Sequence, residues 1–277
     1  MRSRTTKLLL AAAAGGALVA GPLFAAGPAF ASSADATVTV VHGVPGVPVD
    51  VYVNGKLTLP KFQPDTVTQP LELPAGTYDI AIRKAGAPST AGPIISGSAT
   101  LVAGENASLV ANLTTSGTPT LSVFENDTST IPAGDARLVV RHVADAPAVD
   151  VLANGKVAFS DLVNGQQAMA TLPAGTITAA VNLHGTSTTV LGPTSLDLAA
   201  GTETIVYAVG SASAHTLTLL TQTISGLGPA PSAVVTGNTD PVTQHVLPLA
   251  ALAAVVVVGA GIGGLSIRRL RSRGEAK

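Results

Sequence analysis

Apolar and polar residues alternate with a period of two along much of the chain between residues 36 and 224. Val38, Val40 and His42 share one parity, for example, and Thr39 and Val41 occupy the positions between them. Successive side chains of a β-strand point to opposite faces, so this alternation predicts half-buried strands. Because no 3.6-residue period persists in this segment, the pattern predicts an all-β body. Further runs of this kind cover residues 49–53, 78–82, 99–101, 107–113 and 120–124, and later 177–183, 195–198, 204–209 and 216–223.

The same sequence pattern occurs twice between residues 36 and 224. In module 1, residues 36–127, His42 is followed by VDV at 49–51, NGK at 54–56 and LPAGT at 73–77. In module 2, residues 135–224, His142 is followed by VDV at 149–151, NGK at 154–156 and LPAGT at 172–176. A repeat of this kind indicates one structural unit used twice in tandem.

The turns between the predicted strands favour sandwiches. Asn-Gly is the strongest short hairpin signal, since both turn positions adopt positive φ. Roughly seven short strands in a hundred residues, separated by Gly- and Pro-containing turns, are typical of a β-sandwich. We therefore predict two tandem antiparallel immunoglobulin-like β-sandwich modules, joined by a linker, residues 128–134, too short to let them swing far. The chain has no Trp and no Cys, so the term describes architecture only.

The N-terminus has the three parts of an export signal. Arg2, Arg4 and Lys7 form a basic start, and an apolar run covers residues 8–26. The small-x-small triplet at 29–31 is a cleavage site. Residues 1–31 are therefore predicted to be a signal peptide.

A second apolar run, residues 246–267, contains no charged side chain. As a helix it would extend about 33 Å, enough to cross a bilayer. Four arginines follow between residues 268 and 273, and basic residues mark the cytoplasmic flank. The sequence predicts an extracellular body, a stalk at 225–245 rich in Gly, Pro, Ser and Thr, a single-pass transmembrane helix at 246–267 and a cytoplasmic tail at 268–277.

Charge and composition exclude several classes of function. Between residues 32 and 245 there are seven Lys and Arg against fifteen Asp and Glu, a net charge of −8. Nucleic-acid binding proteins carry basic stripes instead, so we expect no nucleic-acid partner. The absence of Cys excludes disulfides, thiolate nucleophiles and a lipid-modified cysteine anchor. The absence of Trp disfavours stacking on sugars.

Two polar pairs recur in the repeat, His42 with Asp50 and His142 with Asp150. If the first two strands of each module form a hairpin, closed in module 1 by residues 43–48, each His lies within hydrogen-bonding reach of its Asp. The pair is then either an acid–base or metal pair, or a structural hydrogen bond that fixes the hairpin. Each Asp could equally accept hydrogen bonds from the backbone around the Asn-Gly turn. Two ligands are too few for zinc and no G-x-S-x-G motif exists, so we predict no catalytic, cofactor-binding or metal-binding residues.

Acidic and amide side chains are concentrated where the modules join. They could hold calcium, which takes six to eight oxygen ligands from flexible loops, or they could be ordinary solvated charges. No calcium-binding loop of twelve residues is present. The residues concerned are Glu125, Asn126, Asp127, Asp135 and Asp145.

A glycine-rich motif, residues 259–264, formally matches G-x-G-x-x-G. It lies inside the predicted membrane helix with no βαβ unit around it, so a nucleotide site is excluded. Gly259 and Gly263 have the small-xxx-small spacing that allows close helix packing, and the helix could therefore dimerise.

Together these motifs resemble a bacterial family, the domain of unknown function 4397. The resemblance rests on the strand leading to the His, the VDV strand, the NGK turn and the later LPAGT, and it covers both modules. It implies exported β-sandwich domains and leaves their activity open.

The sequence as a whole predicts a membrane-anchored extracellular binding or spacer protein of the bacterial cell envelope, without enzymatic activity. Its partner would be a protein or the cell wall. Two alternatives remain: an envelope hydrolase that uses the His–Asp pairs, and an adhesive rod stiffened by calcium between the modules.

Overall fold

A computed structural model of the chain describes residues 35–88 and 90–230. These residues form seventeen β-strands and no helix, which confirms the all-β prediction. Within this described part, therefore, nothing resembles a membrane-spanning helix. The predicted signal peptide, membrane helix and tail, and the stalk beyond residue 230, lie outside the described residues.

The strands of module 1 are β1 (Ala36–His42), β2 (Val49–Val53), β3 (Lys56–Phe62), β4 (Thr66–Val67), β5 (Leu71–Leu73), β6 (Gly76–Lys84), β7 (Ile95–Leu101), β8 (Asn106–Leu113) and β9 (Pro119–Glu125). Those of module 2 are β10 (Asp135–His142), β11 (Val149–Ala153), β12 (Lys156–Leu162), β13 (Gln166–Pro173), β14 (Gly175–Leu183), β15 (Thr189–Leu198), β16 (Glu203–Val209) and β17 (Thr218–Ile224).

Each module contains two sheets that enclose a core. The sheets that we call outer have the orders β3-β2-β6-β7 and β12-β11-β14-β15. The inner sheets have the orders β4-β1-β8-β9, with β5 also on β1, and β13-β10-β16-β17. All strand pairs are antiparallel except β1 with β8 and β10 with β16, which are parallel. The fully antiparallel sandwich predicted from the sequence is therefore wrong at these two pairs, because the first strand of each module lies beside a strand of the same direction.

The Asn-Gly hairpins form as predicted. Asn54 and Gly55 have φ values of 49° and 77°, and their counterparts in module 2 have 51° and 76°. Both turn positions thus lie in the left-handed region, which Asn and Gly adopt most readily. The turn places Val53 opposite Lys56 and so sets the register of β2 on β3.

The predicted hairpin between the first two strands does not form. β1 belongs to the inner sheet and β2 to the outer sheet, and the loop at 43–48 carries the chain from one to the other. Module 2 repeats this arrangement with β10 and β11. The His and the Asp of each repeat therefore stand on strands of different sheets.

A third hydrophobic core lies between the two modules. Every residue of β16 is buried, as are all but the first residue of β8 and of β10. Strands buried on both faces must be covered twice, and here the two inner sheets face each other. The apolar side chains of this third core come from both modules: Val41 and Val110 from module 1, and Val139, Val143, Ile205, Tyr207, Val209 and Leu220 from module 2.

The modules approach closely where module 1 has a glycine. A Cβ placed on Gly43 would lie 2.6 Å from Cγ1 of Val209 in the other module. The repeat has Val143 at the corresponding position, and Val143 is fully buried in the third core. The absence of a side chain at Gly43 in module 1 therefore leaves room for the inner sheet of module 2.

The linker is packed against module 2. Ile131 is fully buried, and its N–H donates a hydrogen bond of 2.7 Å to the carbonyl of Leu227. Leu227 is itself buried and donates to the carbonyl of Gly201. The first residues of the predicted stalk are therefore held against the body by hydrogen bonds.

Candidate functional site

His42 and His142 are buried at equivalent corners of the two modules. Each is about 1 % exposed. Nε2 of His42 donates to the carbonyl of Val47 at 3.3 Å, and Nε2 of His142 donates to the carbonyl of Pro147 at 2.9 Å. Burial lowers the pKa of both rings, so both are neutral at pH 7. The two histidines fix the loop that crosses from the inner to the outer sheet.

Asp50 and Asp150 make a different set of contacts. Asp50 accepts hydrogen bonds from the N–H groups of Lys61, at 2.7 Å, and Gly86, at 2.9 Å. Asp150 accepts equivalent bonds from Asp161 and Gly185, each at 3.0 Å. Each carboxylate thus links a backbone N–H on one strand of the outer sheet, β3 or β12, to a backbone N–H in the turn that follows another strand, β6 or β14. Asp50 does not bond His42, Asp150 does not bond His142, and neither aspartate bonds the Asn-Gly turn of its module. The two His–Asp pairs that the sequence suggested therefore do not form.

A His–Asp contact does occur in module 2, with a histidine that lies outside the repeated motifs. Nδ1 of His184 is 2.8 Å from Oδ1 of Asp150, and this carboxylate raises the pKa of the imidazole. The hydroxyl of Ser160 donates to the same carboxylate at 2.9 Å. In a nucleophilic triad the histidine stands between serine and aspartate, whereas here the aspartate is central. The arrangement therefore leaves Ser160 without a base.

The proposed calcium ligands do not gather. Asn126 is buried, and its Oδ1 accepts from Nη2 of Arg141 at 2.8 Å. Oδ2 of Asp145 accepts from the hydroxyl of Ser211 at 2.8 Å. Among the described residues, no three His, Asp or Glu side chains are placed to hold a metal ion together. The glycine motif at 259–264 lies outside the described residues.

Module 1 contains a cavity of about 600 Å³ between its two sheets. Native cores leave few voids larger than a water molecule, whereas ligand pockets span about 300–1,000 Å³. The corresponding space in module 2 measures about 20 Å³. The space between the two sheets is thus much larger in module 1 than in module 2.

At three positions of the cavity wall, module 1 has a smaller side chain than module 2. Val38 stands where module 2 has Leu138, and Leu59 stands where it has Phe159. Ala99, which pairs with Tyr78 on β6, stands where module 2 has Leu196, which pairs with Ile177 on β14. Other wall positions carry larger side chains in module 1, so side-chain size alone does not explain the cavity; these are Val53, Phe62, Tyr78, Ile80, Ile82 and Leu109, which stand where module 2 has Ala153, Leu162, Ile177, Ala179, Val181 and Val206.

The two modules also differ at the edge of the inner sheet. In module 2 the unbroken strand β13 covers this edge and lies close to β12 of the outer sheet. In module 1 the edge consists of two short strands, β4 and β5, and Pro70 lies in the gap between them. Proline has no N–H for a sheet ladder, so the strand is interrupted there. The cavity reaches the surface between β3 and β5, where Leu57 is 42 % exposed.

The cavity wall includes two basic side chains, beside the polar residues Asn54, Thr58 and Tyr78. Lys56 lies on β3 at its surface end, and His42 lies within the core. Nδ1 of His42 has no hydrogen-bond partner among the described residues, whereas Nδ1 of His142 accepts from the N–H of Ala144 at 3.4 Å. The remaining wall is mainly aliphatic.

A comparison with known families finds the repeat. The model of the domain of unknown function DUF4397 matches residues 36–152 and again residues 143–246. The chain belongs to this family. The two matches confirm the tandem arrangement predicted from the doubled motifs. No curated protein matches the sequence.

Within this DUF4397 pair, the repeated motifs mark structural positions, and some of their residues also line the cavity. The motif residues His42, Asp50 and Asn54 each bond backbone groups. A position-by-position comparison of the copies could have pointed to Val38 and Ala99, which are smaller than their counterparts. Sequence alone could not show that these two residues line one cavity from opposite sheets.

The buried aspartates of the two DUF4397 modules predict acid sensitivity. Backbone hydrogen bonds hold the pKa of Asp50 below its usual range, and His184 does so most strongly for Asp150. Stabilisation by a carboxylate of lowered pKa is complete above the unfolded value and is lost as pH falls through the folded value. We expect the full-length protein to lose stability as pH drops below about 4, as measured by circular dichroism during urea unfolding.

Asp50→Asn and Asp150→Asn are the variants for this measurement. Each amide leaves one backbone N–H without its acceptor, and Asp50→Asn is expected to cost about 1–3 kcal/mol at pH 7. The loss of stability on acidification should also be smaller in each variant than in the unmodified protein, because the titrating carboxylate is gone. An acid profile identical to that of the unmodified protein would contradict the assignment.

Proposed function

We propose that this protein is a non-enzymatic binding protein of the bacterial cell envelope. Residues 246–267 would anchor it in the membrane, with the two modules outside and residues 268–277 in the cytoplasm. The sequence supports this through its export signal, its second apolar run and the arginines that follow. The observation that carries the binding role is the cavity of about 600 Å³ in module 1, which has no counterpart of similar size in module 2.

The contact between the modules supports different roles for the two, with binding in module 1 and support from module 2. The inner sheets share a buried core, and the linker is packed against module 2. Module 2 would therefore act as a rigid support that holds module 1 in a fixed orientation. A packed interface of this kind keeps the binding cavity at a set distance from the point where the chain leaves module 2.

The polar clusters favour binding over hydrolysis. Both repeated histidines are neutral and buried, and each donates to a backbone carbonyl. Ser160, Asp150 and His184 lack the order that activates a serine. These geometries support a role without turnover.

Site-specific photocrosslinking tests the proposal. Thr58 is an exposed residue beside the cavity of module 1, and Ala158 is its counterpart in module 2. Replacing either by the photoreactive residue p-benzoylphenylalanine in the full-length chain places a reactive group at matched positions. Irradiation of whole cells is expected to give a defined adduct from position 58 and none from position 158.

Fractionation of the same cells tests the anchor. The full-length chain is expected in the membrane fraction, and a chain without residues 246–267 in the medium. Equal crosslinking at the two positions, or hydrolytic turnover by the purified protein without any adduct, would overturn the binding role.

A further inference from the structure

The cavity of module 1 is lined on both sides by aliphatic side chains. The inner sheet contributes Val38 and Leu109, and the outer sheet contributes Val51, Ile82 and others that point inwards. Packed sheets lie about 10 Å apart, so the space left between the two sets of side chains is a thin slot. A slot with such walls fits an extended hydrocarbon chain better than a polar molecule or a bulky ring system.

One end of the slot differs from the rest. Where the slot reaches the surface, Lys56 is the only residue of the cavity wall with a full charge at pH 7, because burial keeps His42 neutral. The surrounding protein is acidic, with a net charge of −8 between residues 32 and 245, so an isolated ammonium group at a hydrophobic opening is a distinct feature. An ammonium group there favours a ligand with an anionic head.

We propose that module 1 binds a long-chain fatty acid, with the hydrocarbon chain between its sheets and the carboxylate at Lys56. This rests on the binding role proposed for module 1 above. A methylene group takes up about as much liquid volume as a water molecule, about 30 Å³, so the cavity accommodates a chain of about 16–20 carbons. Module 2 also has a lysine at the matching place, Lys156, but no slot behind it, so it should not bind.

Photolabelling with a diazirine analogue of palmitic acid tests this assignment. The full-length protein is labelled in the membranes of the cells that produce it, then digested and mapped by mass spectrometry. We expect label in β3 and β7 of module 1, and at least tenfold less in β12 and β15 of module 2. An excess of unlabelled palmitate should remove most of the label, and palmitic acid methyl ester should compete at least fivefold less well.

Two kinds of variant separate the slot from the charge. Ala99→Leu installs the side chain that module 2 has at this place, so it should fill the slot and lower the module 1 label at least tenfold. Val38→Leu does the same from the inner sheet and replaces Ala99→Leu if that variant does not fold. Lys56→Gln should lower labelling about five- to tenfold, whereas Lys156→Gln should leave it unchanged.

The outcomes separate this proposal from the broader one. A defined adduct at position 58 without palmitate labelling in module 1 would overturn the fatty acid and leave the binding role intact. Absence of both would overturn both. Labelling that is equal in the two modules, or unchanged by both slot-filling variants, would show adsorption outside the cavity and overturn the fatty-acid site.

Discussion

Replacing Arg137 by methionine is expected to lower the free energy of unfolding by about 3–5 kcal/mol at pH 7. Nη1 of Arg137 lies 3.3 Å from Oε2 of Glu203, whose side chain is 0 % exposed. Oε1 of the same carboxylate has no hydrogen-bond partner among the described residues. The substitution would remove the cation that contacts this buried carboxylate, which is the costly way to break such a pair.

The loss should depend on pH. Burial raises the pKa of Glu203 even beside Arg137, and removal of the cation would raise it further. For an acid whose folded pKa is raised, the penalty is full above the folded value and disappears below the unfolded value. The deficit of Arg137→Met should therefore shrink as pH is lowered towards about 4, as measured by circular dichroism during urea unfolding.

A double-mutant cycle provides the control. Arg137→Met combined with Glu203→Leu removes both charges and is expected to recover most of the loss, since apolar replacements of buried pairs are often neutral. Arg83→Met removes a partly exposed arginine of module 1 and should cost less than about 1 kcal/mol. Additive losses in the double variant would show that the two side chains do not act as a pair.

The elements of this fold that depend on local chemistry could be predicted from the sequence. Asn54-Gly55 and Asn154-Gly155 adopt the positive φ values that their residue types favour, so the hairpins follow from neighbouring residues alone. The alternation that begins at Val38 likewise marks strand β1 and its core-facing side chains.

Long-range order could not be predicted in the same way. The hairpin expected between β1 and β2 assumed that consecutive strands pair, but the chain crosses to the other sheet after His42. A second signal was present in the continuous apolar run at 205–209, which alternation alone does not explain. Such runs indicate a strand that is covered on both faces. They do not identify the covering surface, which here is the other module.

The cavity depends on how the two sheets and their edge strands are placed, and it is therefore hard to predict from the sequence. Ala99 and Val38 are ordinary core residues taken singly, and Pro70 reads as an ordinary turn residue. Only the fold shows that Val38 and Ala99 line the same cavity and that the edge strand beside it is interrupted. The repeated histidines and aspartates bond backbone groups, and only Asp150 also bonds side chains among the described residues, those of Ser160 and His184.

Replacing Arg141 by alanine is the second change with a large expected effect. Arg141 is fully buried between the modules, and its guanidinium donates to the hydroxyl of Tyr207 at 2.9 Å and to Oε1 of Gln167 at 2.9 Å. It also donates to Asn126 of module 1 at 2.8 Å and lies 4.5 Å from the ring centroid of Phe124. The variant would lose these contacts and leave a void, at a cost of about 3–5 kcal/mol.

This cost should appear as uncoupling of the modules. In the unmodified protein we expect one cooperative unfolding transition, because neither inner sheet can leave the shared core alone. Arg141→Ala should separate the transition into two and raise the amide hydrogen exchange of β8 and β16 well above that of the outer sheets. Arg83→Ala is the matched control, since Arg83 also stacks on a ring, that of Tyr52 at 4.8 Å, but lies in an outer sheet. If Arg141→Ala unfolds in a single transition with a loss below about 1 kcal/mol, as expected for Arg83→Ala, the inner sheets do not depend on this arginine and the rigid support proposed for module 1 must come from the apolar contacts alone.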